Sequence, residues 1–279
     1  MSWRLRGGMM DGVERLTQAD EAGIRRLLEQ DVVVNLFLLG FLAAHPVSRG
    51  GWYGAFEDGE LCGVALLLPR RLAVPYCPDP HDAARIGAHL FHIRTPTLMV
   101  GPREATDALW KEWARGRRGR AHFDQRLYVL TEAPPGPETD GFRRATYPEW
   151  PVIADFSAAM EREDLGVDPV GADPQLHDHI VKERVKAGRT WVIERDGAIV
   201  FQVNVGTQHA EGAQIGGTYV PPAHRSQGLA QQGIAALGGR LLRRAPRVTL
   251  HVNEANVAAV KVYERCGFMR DAPFRLITI

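Results

Sequence analysis

The chain has 279 residues, enough for two domains of ordinary size or one large one. Hydrophobic residues at 45% and charged residues at 24% match an ordinary globular protein and exclude fibrous and disordered classes. Thirty-four basic against 33 acidic side chains leave a formal charge of +1, which gives no electrostatic reason to expect nucleic acid or an anionic membrane as partner.

Met1 to Gly8 holds basic residues with no apolar run after it, so it does not read as a signal peptide. Met9 and Met10 stand just before the first structured-looking segment. Residues 13–17 predict a short strand and residues 19–31 a helix, with Thr17 or Asp20 near its start as a cap. A second apolar helix is expected over 33–44, stopping at His45-Pro46. Residues 52–57 and 61–68, joined by Asp58-Gly59, read as a hairpin. A helix over 83–92, a strand over 97–100, a helix over 106–114 and a strand over 127–130 follow.

Residues 133–141 contain three prolines and two glycines, which cannot continue a helix or a central strand; the stretch reads as a linker. After it the order repeats. A strand is expected over 142–146, helices over 150–161 and 175–187, and a hairpin of 190–195 and 198–205 around Asp196-Gly197. A strand over 213–220, a helix over 229–243, a β-branched strand over 248–252 and a helix over 257–265 come next. Short strands near 268–269 and 274–279 close the chain. The expected fold is α/β with a mixed sheet, in two divergent copies of one unit: residues 1–132, the linker 133–141, and residues 142–279.

The most informative segment runs from Tyr219 to Ala230, between a strand and an amphipathic helix. Gly228 can come close to a ligand and Ala230 keeps the helix start open. The N–H groups of Arg225, Ser226, Gln227, Gly228, Leu229 and Ala230 stand at the positive end of a helix dipole, where a diphosphate fits. Taken alone, Arg-x-x-Gly-x-Ala is also what a tight strand-to-helix turn with an exposed arginine looks like.

It does not stand alone. Arg225-x-x-Gly228-x-Ala230 resembles the [Q/R]xxGx[G/A] signature of the GNAT acyltransferase superfamily. Downstream, Asn256-x-x-Ala259-x-x-x-Tyr263-x-x-x-Gly267-Phe268 resembles that family's second signature. The two motifs cover about residues 213–270 with the helix and strand expected between them. The resemblance implies an N-acyltransferase that uses acetyl-CoA or a close acyl-CoA relative and needs no metal. Its diphosphate would lie on Arg225 to Ala230. The pantetheine would run between the strand ending at Val220 and the diverging strand from Val248. The wider arrangement resembles tandem GNAT proteins of the mycothiol synthase type, with the C-terminal half retaining the acyl-CoA site. The matching place in the first half, Tyr76 to Asp82, offers prolines and acidic residues, so that half should bind CoA poorly or not at all.

Acyl transfer to an amine needs an uncharged amine, oxyanion stabilisation and a proton for the departing thiolate. Asn256 and Tyr263 lie two helical turns apart and share a helix face. Asn256 could bond the pantetheine or the incoming group, and Tyr263 sits where the family places a general acid. The plainer reading of Tyr263 is a packing tyrosine. An oxyanion donor is expected from the backbone near Val220, and Gly216-Gly217 suggests a bulge that would part the two strands. The base stays open among Glu161, Glu163, Asp164, Glu211, His251 and a water chain. The acidic residues around 160–169 either border a site for a cationic amine or form a solvated loop.

Basic residues 111–120 read as a solvated loop given the total charge. His89 with His92, and His177 with His179, lack a third metal ligand. Cys62, Cys77 and Cys266 are odd in number and have no CxxC spacing, so free thiols in a reducing cytoplasm are expected. No apolar run reaches membrane-spanning length. The expected partner is a small-molecule or peptide amine, with the chain a monomer or homodimer. The alternative is an acyl-CoA-binding sensor or scaffold without acceptor chemistry.

Overall fold

The computed structural model of the protein describes residues 12–68, 71–134 and 139–279. The opening residues and part of the Pro/Gly-rich stretch lie outside them. The chain divides into two compact units: residues 1–124 with 273–279, and residues 125–272.

In the first unit, β1 (Gly12–Arg15) leads through a capping box, in which Thr17 N–H and Oγ1–H both donate to Asp20 (2.8 and 2.9 Å), into α1 (Glu21–Leu28). Next come α2 (Leu36–Ala44), the hairpin β2 (Gly51–Glu57) and β3 (Glu60–Leu68), and β4 (Leu72–Tyr76). Then follow α3 (Pro80–His89), β5 (Leu98–Pro102), α4 (Arg103–Ala114) and β6 (Ala121–Leu130), which crosses into the second unit. The strand β4 went unpredicted: its Leu-Ala-Val-Pro-Tyr breaks the alternation expected of a strand, and Pro75 removes a ladder donor.

The second unit repeats this order. Strand β7 (Phe142–Arg144) is followed by a second capping box, Thr146 with Glu149, and by α5 (Trp150–Leu165). The short α6 (Pro169–Ala172) and α7 (Pro174–Lys186) precede β8 (Thr190–Arg195), β9 (Ala198–His209) and β10 (Gly212–Tyr219). Then come α8 (Leu229–Leu242), β11 (Val248–Asn253), α9 (Val257–Arg265) and β12 (Met269–Thr278), one strand where two short ones were expected. Both predicted Asp-Gly turns form, with Asp58, Gly59, Asp196 and Gly197 all at positive φ, as a type I′ hairpin turn requires.

Each unit carries a mixed sheet: β1-β2-β3-β4-β5-β12 in the first and β6-β11-β10-β9-β8-β7 in the second. In each, one parallel pair sits among antiparallel ones, β4 with β5 and β10 with β11. The last strand of each half pairs in the unit of the other half. Residues 274–278 of β12 pair with β5, and residues 125–130 of β6 pair with β11. The division by contact therefore falls at 124/125 and 272/273, not at the Pro/Gly-rich stretch.

In the second unit the core joins Phe201, Val203, Val205 and Ile215 of the sheet to Ile234, Leu237 and Leu241 of α8. Helix α8 lies so close on β9 that a Cβ at Gly233 would overlap the Phe201 ring. That contact fixes where the start of α8 points.

Candidate functional site

Strands β10 and β11 pair only at Ala213–Val248 and Gln214–Thr249. Beyond those residues β10 bulges: its register against β9 shifts between Gly216 and Tyr219, as the paired glycines suggested. Gly217 has φ +63°, and a Cβ there would overlap Asn204 Nδ2. Asn204 is in turn held by the Thr190 hydroxyl, which donates to its Oδ1 at 2.8 Å. The bulge is thus supported from β9 by a buried, hydrogen-bonded side chain.

The segment from Pro221 to Gly228 turns the chain into α8, with Ser226 at φ +62° and Gly228 at φ +75°. Leu229 is buried and anchors the helix start, whereas Arg225, Ser226, Gln227 and Gly228 are exposed. No side chain caps α8, and the amide of Gln232 donates to Gly228 O at 3.0 Å as the helix begins. The amides ahead of it point out of the positive end of the helix. The counterpart in the first unit differs. There Asp79 caps α3 and accepts from His81 N–H at 2.8 Å, so the chain's own carboxylate takes the place an anion would occupy.

The Arg225 side chain does not reach outward. Its Nε donates to Val220 O (3.0 Å), and its Nη2 donates to both oxygens of Glu163 (3.0 and 2.7 Å). Tyr219 also donates its hydroxyl to Glu163 at 3.4 Å. Next to it, Asp164 accepts from Asn256 Nδ2 at 3.4 Å, while Asn256 Oδ1 caps α9 by accepting from Ala259 N–H at 3.1 Å. Burial and the neighbouring Glu163 push the Asp164 carboxyl above its ordinary range. Asn256, read from sequence as a ligand contact, is also a helix cap and the anchor for Asp164.

Tyr263 is buried at 8% exposure, with its ring edge-on to Phe268 at 6.0 Å. Burial raises its pKa, so it keeps its proton at neutral pH. Burial likewise raises Cys266 to about 11 and leaves it a thiol, its Sγ directed at Gln231 O. His251 on β11 pairs with Gln214 on β10 at 3.3 Å, and burial lowers it to about 4, so it is neutral at pH 7. Glu211 lies away from this cluster, on an ion pair with Arg247 at 3.5 Å.

Three features had not been read from the sequence: the Arg225–Glu163 pair, the support of the bulge by Asn204, and a polar cluster of Ser157, Arg184 and Gln202 behind it. One signal was present, because Ser157, Glu161 and Asp164 recur at helical spacing along α5. Among the described residues no group of three or more His, Cys, Asp or Glu side chains could hold a metal ion. Nor is any helix among them long and apolar enough to cross a membrane.

Residues 153–268 match the family model described as the acetyltransferase (GNAT) family. Comparison with curated proteins finds no match to the sequence. Among solved structures the chain is similar to a Drosophila protein, with TM-score 0.68 and 15% identity over 97% of this chain and 99% of that one. It is also similar to a GCN5-related N-acetyltransferase from Sphaerobacter thermophilus, with TM-score 0.61 and 18% identity over 95% and 94%. A tandem GNAT protein from the clavulanic acid biosynthesis pathway matches with TM-score 0.54 and 14% identity over 97% and 98%. At these identities the likeness is one of fold.

Proposed function

Because residues 153–268 match the model of the acetyltransferase (GNAT) family, we propose that this protein is an acyl-CoA-dependent N-acyltransferase. In this reading it moves an acetyl group from acetyl-CoA to a primary amine by direct attack in a ternary complex. The observation that carries the proposal is the parting of β10 from β11 after two paired residues, beside a helix start with uncapped amides.

Bound acetyl-CoA supplies the acyl thioester. The amides of Arg225 to Ala230 hold its diphosphate, and the edges of β10 and β11 beyond Gln214 and Thr249 receive the pantetheine. Backbone N–H near Val220 faces the developing oxyanion. Tyr263, kept protonated by burial, gives its proton to the departing sulfur. The C-terminal half, 142–279, carries the transfer site, and the first half is a divergent partner without cofactor binding. The domain's setting is a soluble cytoplasmic protein acting on a small-molecule or peptide amine.

One observation favours a second reading, a non-catalytic acyl-CoA-binding sensor or scaffold: β10 carries no carboxylate to serve as base. Calorimetric titration with acetyl-CoA, beside a variant carrying Arg225→Glu and Gly228→Asp, tests the cofactor site. Micromolar binding that the variant loses supports it, and no binding by the intact protein removes it. Slow thioester hydrolysis abolished by Tyr263→Phe separates the enzyme from the sensor.

A further inference from the structure

Behind the bulge, α5, α7 and β9 bring together polar groups that a packed interior does not explain. Ser157 and Glu161 stand one turn apart on α5, and His177 and Arg184 two turns apart on α7. Arg184 Nη2 donates to Ser157 Oγ at 2.8 Å, and Gln202 Nε2 donates to the same oxygen at 3.3 Å. Gln202 also donates to Gly217 O, the carbonyl of the bulge, at 3.4 Å. A carbonyl only accepts, so this bond fixes the orientation of the amide and turns Oε1 elsewhere. Gln202 is 0% exposed.

Two of these buried atoms, Arg184 Nε and Gln202 Oε1, have no hydrogen-bond partner among the described residues. A buried guanidinium or amide left in this state costs a folded chain free energy unless something completes it. The opposite charge is close but not in contact. Glu161 feels the charges of His177 and Arg184 without hydrogen-bonding either, and His177 spends its Nε2 on Ala154 O at 3.0 Å. Ser157 Oγ accepts twice, so its own proton is free to donate beside Arg184 Nε. The cluster thus offers one free donor on a cation, one serine hydroxyl, one amide acceptor, and a carboxylate set apart from them.

We propose that this cluster is the acceptor subsite of the transferase and that the acceptor is an amino acid. Its carboxylate lies on Arg184 and the Ser157 hydroxyl, and its ammonium lies on Glu161 and Gln202 Oε1. The inference rests on the acyltransferase reading and narrows its substrate to amines that carry a carboxylate. In the transfer, Glu161 takes one proton from the ammonium. The amine nitrogen then bonds to the acyl carbon as the C–S bond breaks. A second nitrogen proton is lost as Tyr263 protonates the sulfur and is itself reprotonated. The products are an N-acetyl amino acid, CoA thiol and one net proton.

The test measures thiol release from acetyl-CoA with the twenty protein amino acids and with their decarboxylated amines, alongside calorimetry with acetyl-CoA. The expected result is turnover of at least one amino acid with kcat/KM about 100-fold or more above its decarboxylated counterpart, since a site built for a polar group rejects the analogue lacking it. Arg184→Gln should raise the KM for that amino acid while the acetyl-CoA Kd stays within about twofold, and Glu161→Gln should lower kcat. Equal or better turnover of the decarboxylated amines overturns the proposal. So does silence of the whole panel while acetyl-CoA binds, which leaves the cofactor reading standing. Failure to bind acetyl-CoA removes that reading and the proposal with it. The panel on the unaltered protein decides the matter even if a variant does not fold.

Discussion

Glu163→Gln should tighten acetyl-CoA binding. In the structure the Arg225 guanidinium is spent on Glu163, with contacts of 3.0 and 2.7 Å, yet Arg225 is the cation next to the amides that would hold a diphosphate. Recruiting Arg225 to a phosphate means giving up this pair. The two side chains are 44% and 46% exposed, so the pair itself contributes only about 0.2–1 kcal/mol. The Glu163 charge also repels the diphosphate directly. Taken over one Debye length, about 8 Å at physiological salt, in a water-like dielectric this amounts to roughly 0.5 kcal/mol per phosphate charge, and salt screens part of it. Together the two effects give about 1–1.5 kcal/mol, or a Kd about 5–12-fold lower in Glu163→Gln. Calorimetry at about 50 mM and about 500 mM salt would measure it, with the gain shrinking at the higher salt. In an Arg225→Gln background the gain should fall by about half, because only the repulsion is left to remove. An unchanged or weaker Kd for Glu163→Gln at low salt refutes this account and means that Arg225 holds the loop, not the cofactor.

Three further outcomes follow from the geometry. Gly217→Ala should destabilise the protein by about 2–3 kcal/mol in urea denaturation, combining a positive-φ cost with a displaced Asn204; a loss under about 0.5 kcal/mol would show that the bulge relaxes freely. Tyr263→Phe should lower kcat about 100-fold or more with little change in the acetyl-CoA KM, whereas an unchanged kcat across pH ends its role as acid. His251 has its pKa depressed by burial from 6.5 to about 4. The unfolded chain therefore binds the extra proton first, so stability is complete above about pH 6.5 and is lost as pH falls toward about 4, by up to about 3 kcal/mol. His251→Gln should flatten that part of the stability–pH curve; parallel curves for the two proteins would contradict it.

Much of this protein is written locally. The two Asp-Gly turns, the helices and the loop from Arg225 to Ala230 follow from turn chemistry, periodicity and caps that operate within a few residues. The boxes of Thr17 with Asp20 and Thr146 with Glu149 repeat the same device at the same place in each half, a residue-level echo that element order alone had not exposed. The glycine pair in β10 announced its bulge for the same reason, since φ preference is a property of one residue.

What the tertiary structure decided is partnership. A strand's side-chain pattern says that it is a strand and not which edge it will join, so nothing in residues 125–130 or 274–278 told that each would pair in the unit of the other half. The same limit applies to charge. Arg225 and Glu163 lie 62 positions apart, and Ser157, Arg184 and Gln202 come from three elements; only packing brings them within hydrogen-bond reach. Sequence determined which groups the chain carries and the local shapes that present them. The fold determined which of those groups are spent on one another and which remain for a ligand, because buried hydrogen bonds and ion pairs depend on distances that only long-range packing sets.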